Sequence, residues 1–134
     1  MRAPMSLSPG QQLPVRRIGP ISQTDIVRFA GAGGDFNPLH HDPDYAVRAG
    51  LPGVIAMGQM QAGMLAGYLS DQVHVEHLLS YAVRFAGTLA VGETLDLQGI
   101  VTAVDTEAGT AEVELTATAG ERTVIAGSAT VRIA

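Results

Sequence analysis

The ten residues GGDFNPLHHD, from Gly33 to Asp42, set a carboxylate and two imidazoles around an Asn-Pro turn. Asp35 and His40 are five residues apart, which is not a helical spacing, but a turn at Asn37-Pro38 can fold Leu39-His40 back toward Asp35. Gly33-Gly34 lets the backbone come close to a ligand. A carboxylate and an imidazole that face one pocket can divide acid and base roles around a single water. Spacing alone also fits a plainer reading, an Asx-type turn carrying a surface histidine.

Other chemistries fit less well. A metal would draw on His40, His41 and Asp42, or on His74, Glu76 and His77 in HVEH. Adjacent histidines point in different directions, and His74 and His77 have no third ligand at a supporting spacing, so no metal site is expected and these two read as solvated surface. There is no G-x-S-x-G. The absence of Cys removes thiol nucleophiles, disulfides and thiolate metal sites. All eight basic residues are Arg, so Schiff-base chemistry on Lys is excluded as well.

A chain of 134 residues, 46% hydrophobic and 16% charged, has the composition of one ordinary folded domain, so 1–134 is read as a single unit. With a net charge of −5, 4% aromatics and no Trp, it lacks both the basic face and the stacking platforms of a nucleic-acid binder. No apolar stretch reaches the ~18 residues of a membrane helix, and no secretory signal is read at the N-terminus, so the expected location is cytoplasmic and off the membrane.

Three helices and a set of strands must position the loop. Ser22 with Asp25 three residues later forms a capping-box pattern, with Ile26, Phe29 and Ala30 on one helical face, and this helix is expected to end near Gly31. A second short helix runs from Asp42 or Pro43 to Gly50. The third, starting at Gly58 in GQMQAGMLAGYLSDQV, is the one long, mostly apolar helix. Its Gly63 and Gly67 suit close approach of a sheet or a partner backbone. From Leu79 onward the period is two. Leu95, Leu97 and Val101 alternate with Asp96, Gln98 and Thr102, and Val113 and Leu115 with Glu112, Glu114 and Thr116. The short turns in DTEAGT and TAGER join half-buried antiparallel strands into a meander. Helices followed by strands imply an α+β fold with the long helix on one sheet face. The first dozen residues, MRAPMSLSPGQQ, have no periodicity and read as a loose leader.

From about Ile18 to Ala134 the chain resembles the MaoC-like family of R-specific enoyl-CoA hydratases and 3-hydroxyacyl-thioester dehydratases. It looks closest to the catalytic subunit of the two-subunit 3-hydroxyacyl-ACP dehydratases. The family pattern G-D-x-N-P-[ILV]-H-x-D is matched by Gly34, Asp35, Asn37, Pro38, Leu39, His40 and Asp42. The resemblance implies a hot-dog fold, an antiparallel sheet wrapped around a long central helix, paired as a homodimer or as a heterodimer with a homologue. It makes Asp35 and His40 the catalytic pair, with Asn37 ordering the loop and His41 at the variable position. Gly58 would supply an amide to the thioester oxyanion at the helix start, where the family usually has His-Gly and this chain has Met57-Gly58. The implied reaction is reversible hydration of a trans-2-enoyl thioester to an R-3-hydroxyacyl thioester on CoA or acyl carrier protein, with no cofactor. Thioester hydrolysis and a non-catalytic partner subunit are the alternatives. Phe36, Tyr45, Met57, Met60, Gly63, Met64 and Tyr68 are the candidates for the substrate pocket, Gly63 standing where some hydratases have Ser. Phe85, Thr88, Leu89, Gly92 and Glu93 match a looser, mainly structural F-x-x-P-V-x-x-G-D pattern.

Overall fold

In the computed structural model, which describes all 134 residues, Ser22 and Asp25 cap the first helix reciprocally. Asp25 N donates to Ser22 Oγ at 3.0 Å and Ser22 N to Asp25 Oδ2 at 2.9 Å. Helix α1 (Gln23–Gly33) continues past Gly31, because its stop is Gly34. That residue takes φ +74°, a left-handed conformation that glycine adopts without strain, and its N–H donates to Ala30 O at 2.8 Å. The chain is thereby turned into the Asp35 loop as it leaves the helix. Helix α2 (Pro43–Arg48) starts where the sequence places it, with Asp42 Oδ1 accepting from Tyr45 N at 3.1 Å.

Helix α3 (Gly58–Val73) buries Gln61, Leu65, Tyr68, Leu69 and Val73, spaced as one side of a helix requires, against the sheet. It touches β2 (Leu78–Phe85), β3 (Leu95–Asp105), β4 (Thr110–Ala119) and β5 (Arg122–Arg132). Each fully buried Leu of that face contributes roughly 1.5–3 kcal/mol. Together with β1 (Arg16–Ile18) the strands form one antiparallel sheet in the order β1-β3-β4-β5-β2. The expected meander is β3-β4-β5. Strand β2, which precedes it in sequence, returns to pair with β5, and β1 lies at the opposite edge on β3. The alternation predicted for β3 and β4 is observed: Leu95, Leu97, Val101, Val113 and Leu115 are buried, while Glu112 and Glu114 are exposed. This α+β arrangement, a sheet around one central helix, is the hot-dog fold.

Two expectations fail, and for one reason. The first dozen residues are attached to the domain: Gly10 N donates to Val101 O at 2.7 Å, Val101 N to Gln11 O at 2.9 Å, and Leu7 is buried in the core. Just beyond, Leu13 lies over Gly99, where a Cβ would come within 3.0 Å of its Cδ1. Likewise His77 is buried, not solvated. Its Nε2–H donates to Arg2 O at 2.7 Å, while the Arg2 guanidinium bonds both oxygens of Glu76 and holds that carboxyl below the usual carboxylate range. His74, at φ +67°, turns the chain out of α3. An irregular segment can satisfy its backbone on a sheet or a side chain far away in sequence, and local periodicity carries no trace of that partner. Leu7→Ala should therefore lower unfolding free energy by about 2 kcal/mol, the low end for a Leu-to-Ala truncation, in urea titration. A loose leader would give no change.

Candidate active site

The loop leaving α1 is held from both sides by hydrogen bonds within the protein. Asn37 Oδ1 accepts from Leu39 N at 3.0 Å and Asp35 Oδ1 from Asn37 N at 3.3 Å, and Pro38 opens a single 3₁₀ turn, Pro38–His40. From α1, Gln23 Nε2 donates to His40 O at 2.8 Å. From the segment leading into α3, Ile55 N donates to Leu39 O at 3.2 Å. The Asx geometry that spacing alone could equally have assigned to a surface turn is thus present, and it turns His40 inward.

His40 is buried, with a side chain 10% exposed, and its Nδ1 lies 2.8 Å from Ile55 O. A carbonyl only accepts, so Nδ1 carries the hydrogen and Nε2 is the nitrogen left for proton transfer. Nε2 is 3.4 Å from Asp35 Oδ2, and the Asp35 side chain is 48% exposed at the pocket mouth. That separation is long for a hydrogen bond and suits a pair that shares one proton through a ligand or water. His41, the neighbour, is exposed and reaches only Phe36 O, at 3.4 Å. No three His, Asp or Glu side chains converge anywhere in the chain.

Asp35 and His40 open onto a pocket of about 400 Å³ that also takes in Met57, Gly58, Gln61 and Phe85. Gly58 begins α3. The residue before it, Met57, is buried in the core and gives the helix no side-chain cap, so the first amides of α3 lack that partner. The Phe85 ring lies beside Gly58: a Cβ there would lie 2.8 Å and 2.9 Å from two of its carbons. Only Gly permits this approach. Gln61, one turn further along α3, is 1% exposed, and its Oε1 has no hydrogen-bond partner.

The remaining pocket candidates lie elsewhere. Met60 and Met64 line a separate cavity of about 590 Å³ between α1 and α3, with Phe29 and Ile18. Phe36 and Tyr45 are exposed, the latter with the Arg48 guanidinium 6.0 Å from its ring centre. Gly63 faces outward with nothing within 4 Å of where its Cβ would be. Tyr68 is core, its hydroxyl donating to Pro14 O at 2.7 Å. Of the sequence-based lining residues only Met57 reaches the pocket, beside Gly58, the expected oxyanion donor. Sequence reasoning missed Gln61, whose position within an apolar helical repeat was the available signal, and Gln23, which is polar at the start of α1 and has no signal beyond that.

Residues 5–124 match the MaoC-like domain model. The chain belongs to the MaoC-like domain family. Among curated proteins, this MaoC-like chain is 30% identical over 115 residues to an (R)-specific enoyl-CoA hydratase of Rhodospirillum rubrum, covering 84% of this chain and 80% of that protein. It is 27% identical over 115 residues to a 3-hydroxybutyryl-CoA dehydratase of Methylorubrum extorquens, covering 84% and 73% respectively. A solved MaoC-like dehydratase superposes with a TM-score of 0.90 at 32% identity over 99% of this chain, which spans 44% of the longer protein. The hot-dog architecture of this MaoC-like domain is therefore that of its family.

Proposed function

We propose that this chain catalyses the reversible hydration of a trans-2-enoyl thioester to an R-3-hydroxyacyl thioester, carried on CoA or acyl carrier protein. The observation that supports it most is the meeting, in one pocket, of a tautomer-fixed His40, Asp35 and the Gly58 end of α3. In dehydration His40 Nε2 takes the α-proton of the acyl chain while protonated Asp35 gives its proton to the departing β-hydroxyl. The C–O bond breaks, water leaves, and the pair ends as imidazolium and carboxylate. Hydration runs the same steps backward: carboxylate Asp35 takes a proton from the attacking water and His40 returns one to the α-carbon. One proton is shared at every stage, which agrees with two groups 3.4 Å apart. The Gly58 amide and the α3 dipole stabilise the negative charge that develops on the thioester oxygen. Because Nδ1–H is engaged by Ile55 O, the imidazolium formed is oriented as well as stabilised. Asn37 orders the loop and takes no part in proton transfer. No step calls for a cofactor.

The chain is proposed to act as a pair, either two copies or one copy with a homologue. Strand β2 is a sheet edge with Leu79 and Phe85 exposed, and α3 presents Gly63 and Gly67 outward. An eight-residue unpaired edge is usually covered. No helix is long and apolar enough to cross a membrane.

The deciding assay follows loss of enoyl absorbance of crotonyl-CoA alongside free thiol, on chains sized by light scattering. Hydration without thiol release is expected from a dimer. Thiol release at the same rate would make the protein a thioesterase, and inactivity of the chain alone would make it a subunit that needs its partner.

A further inference from the structure

We propose that Gln61 recognises the 3-hydroxyl of the substrate, its side-chain oxygen accepting the hydrogen that this oxygen keeps throughout the reaction. The inference rests on the hydratase reading above and assigns a further residue to the same pocket.

Gln61 is on the buried face of α3, among Met60, Ala62 and Leu65, and it lines the pocket that holds Asp35 and His40. At 1% exposure its Oε1 has no partner within the protein. A buried polar atom without a partner destabilises a fold, and an apolar side chain of similar length would fill the site without that penalty. A residue that lowers stability while facing a reactive pocket is expected to act there. The remaining polar side chains of the pocket are engaged or wet. His40 Nδ1–H is held by Ile55 O, His40 Nε2 and Asp35 handle the travelling proton, and Gln59 and Thr88 are exposed to solvent.

The chemistry supplies what Oε1 lacks. The β-hydroxyl of a 3-hydroxyacyl thioester carries one hydrogen of its own. In elimination Asp35 adds a second to the same oxygen, and water departs with both. Asp35 gives its hydrogen from the oxygen that faces His40, and its other oxygen, Oδ1, already accepts from Asn37 N at 3.3 Å, so the first hydrogen is left for a separate acceptor. The same acceptor would hold the incoming water in hydration, leaving its other hydrogen for Asp35. Side chains on a helix lean toward its N-terminus, which for Gln61 is the direction of the turn that begins at Gly58, and both residues line the same pocket.

The test uses Gln61→Met, which keeps length and removes the acceptor. Three readouts are taken: turnover of crotonyl-CoA and R-3-hydroxybutyryl-CoA, Tm, and calorimetric Kd for butyryl-CoA and R-3-hydroxybutyryl-CoA. The Kd values are measured on chains that also carry Asp35→Asn, so that the hydroxyacyl thioester is not consumed. With Gln61 present the hydroxyacyl thioester should bind roughly 5–50-fold more tightly than butyryl-CoA. Gln61→Met should abolish that difference and leave the butyryl-CoA Kd unaltered. It should also lower kcat/KM roughly 10–100-fold and raise Tm by about 2–8 °C. A retained preference for the hydroxyl, or a fall in Tm revealing a structural partner for the amide, would overturn the proposal. If wild type turns over neither thioester while Gln61→Met still erases the preference, the hydratase reading fails and Gln61 stands as a hydroxyacyl-binding residue. If turnover is present and the preference is unmoved, only the role of Gln61 fails. Absence of all binding and turnover in wild type sinks both.

Discussion

Asp35→Asn and His40→Gln are each expected to lower kcat by about 10²–10⁴-fold, the usual worth of positioned acid–base catalysis. The two losses should not multiply. In the proposed mechanism both groups serve one proton inventory around one water, and His40 Nε2 and Asp35 Oδ2 lie 3.4 Å apart. Removing either leaves only thioester polarisation and binding, so the double variant should be little slower than the worse single one. Asp35→Asn preserves shape at a half-exposed position and should leave Tm within a degree or two of wild type, which separates chemistry from unfolding. His41→Gln is the control, because that side chain is exposed and makes one contact at 3.4 Å. Stopped-flow or steady-state loss of enoyl absorbance measures all four. Loss of turnover in His41→Gln with retention in His40→Gln would refute the assignment. Fully multiplicative effects of the two pocket substitutions would show that Asp35 and His40 act independently.

Which parts of this arrangement could be read in advance follows from how locally each is determined. The Ser22/Asp25 capping box, the Asp42 start of α2 and the alternation of β3 and β4 are fixed by residues within a few positions of one another, and all are present as expected. The Asn-Pro turn made a meeting of Asp35 and His40 possible without separating it from a plain surface turn, and it was the resemblance to the MaoC-like motif that singled out the pair. Apart from Met57, the pocket lining was not legible. Met60 and Met64 share the helix with Gln61, yet they line a different cavity, because α3 passes between two hollows and helical spacing cannot say which face meets which. Phe85 joins the site from β2, twenty-seven residues after Gly58 in sequence, so nothing in the neighbourhood of either residue announces the contact. Arg2, Leu7 and His77 show the same limit at the N-terminal segment, where each partner lies far along the chain.

That contact between Phe85 and Gly58 leads to the second large effect. Gly58→Ala keeps the backbone N–H that is proposed to face the thioester oxygen, and alanine favours a helix over glycine by roughly 1 kcal/mol. A simple helix argument would therefore make this substitution harmless or stabilising. The structure reverses that expectation for activity, because the new Cβ would sit 2.8 Å from one Phe85 ring carbon and 2.9 Å from another. The Phe85 ring is half exposed and at the edge strand, so it can swing outward at small cost to the fold. Its displacement shifts the pocket wall beside the end of α3 that is proposed to polarise the thioester, and a misplacement of about 1 Å at a reacting group can cost ~10²-fold in rate. Gly58→Ala should thus fold normally and lose about 10²-fold in kcat/KM. If the cause is steric, shrinking the ring should restore part of the loss: Gly58→Ala with Phe85→Leu should be faster than Gly58→Ala alone, even though Phe85→Leu by itself is slower than wild type. A double variant slower than both singles would show that Gly58 is required for its own backbone conformation and that the ring contact is incidental.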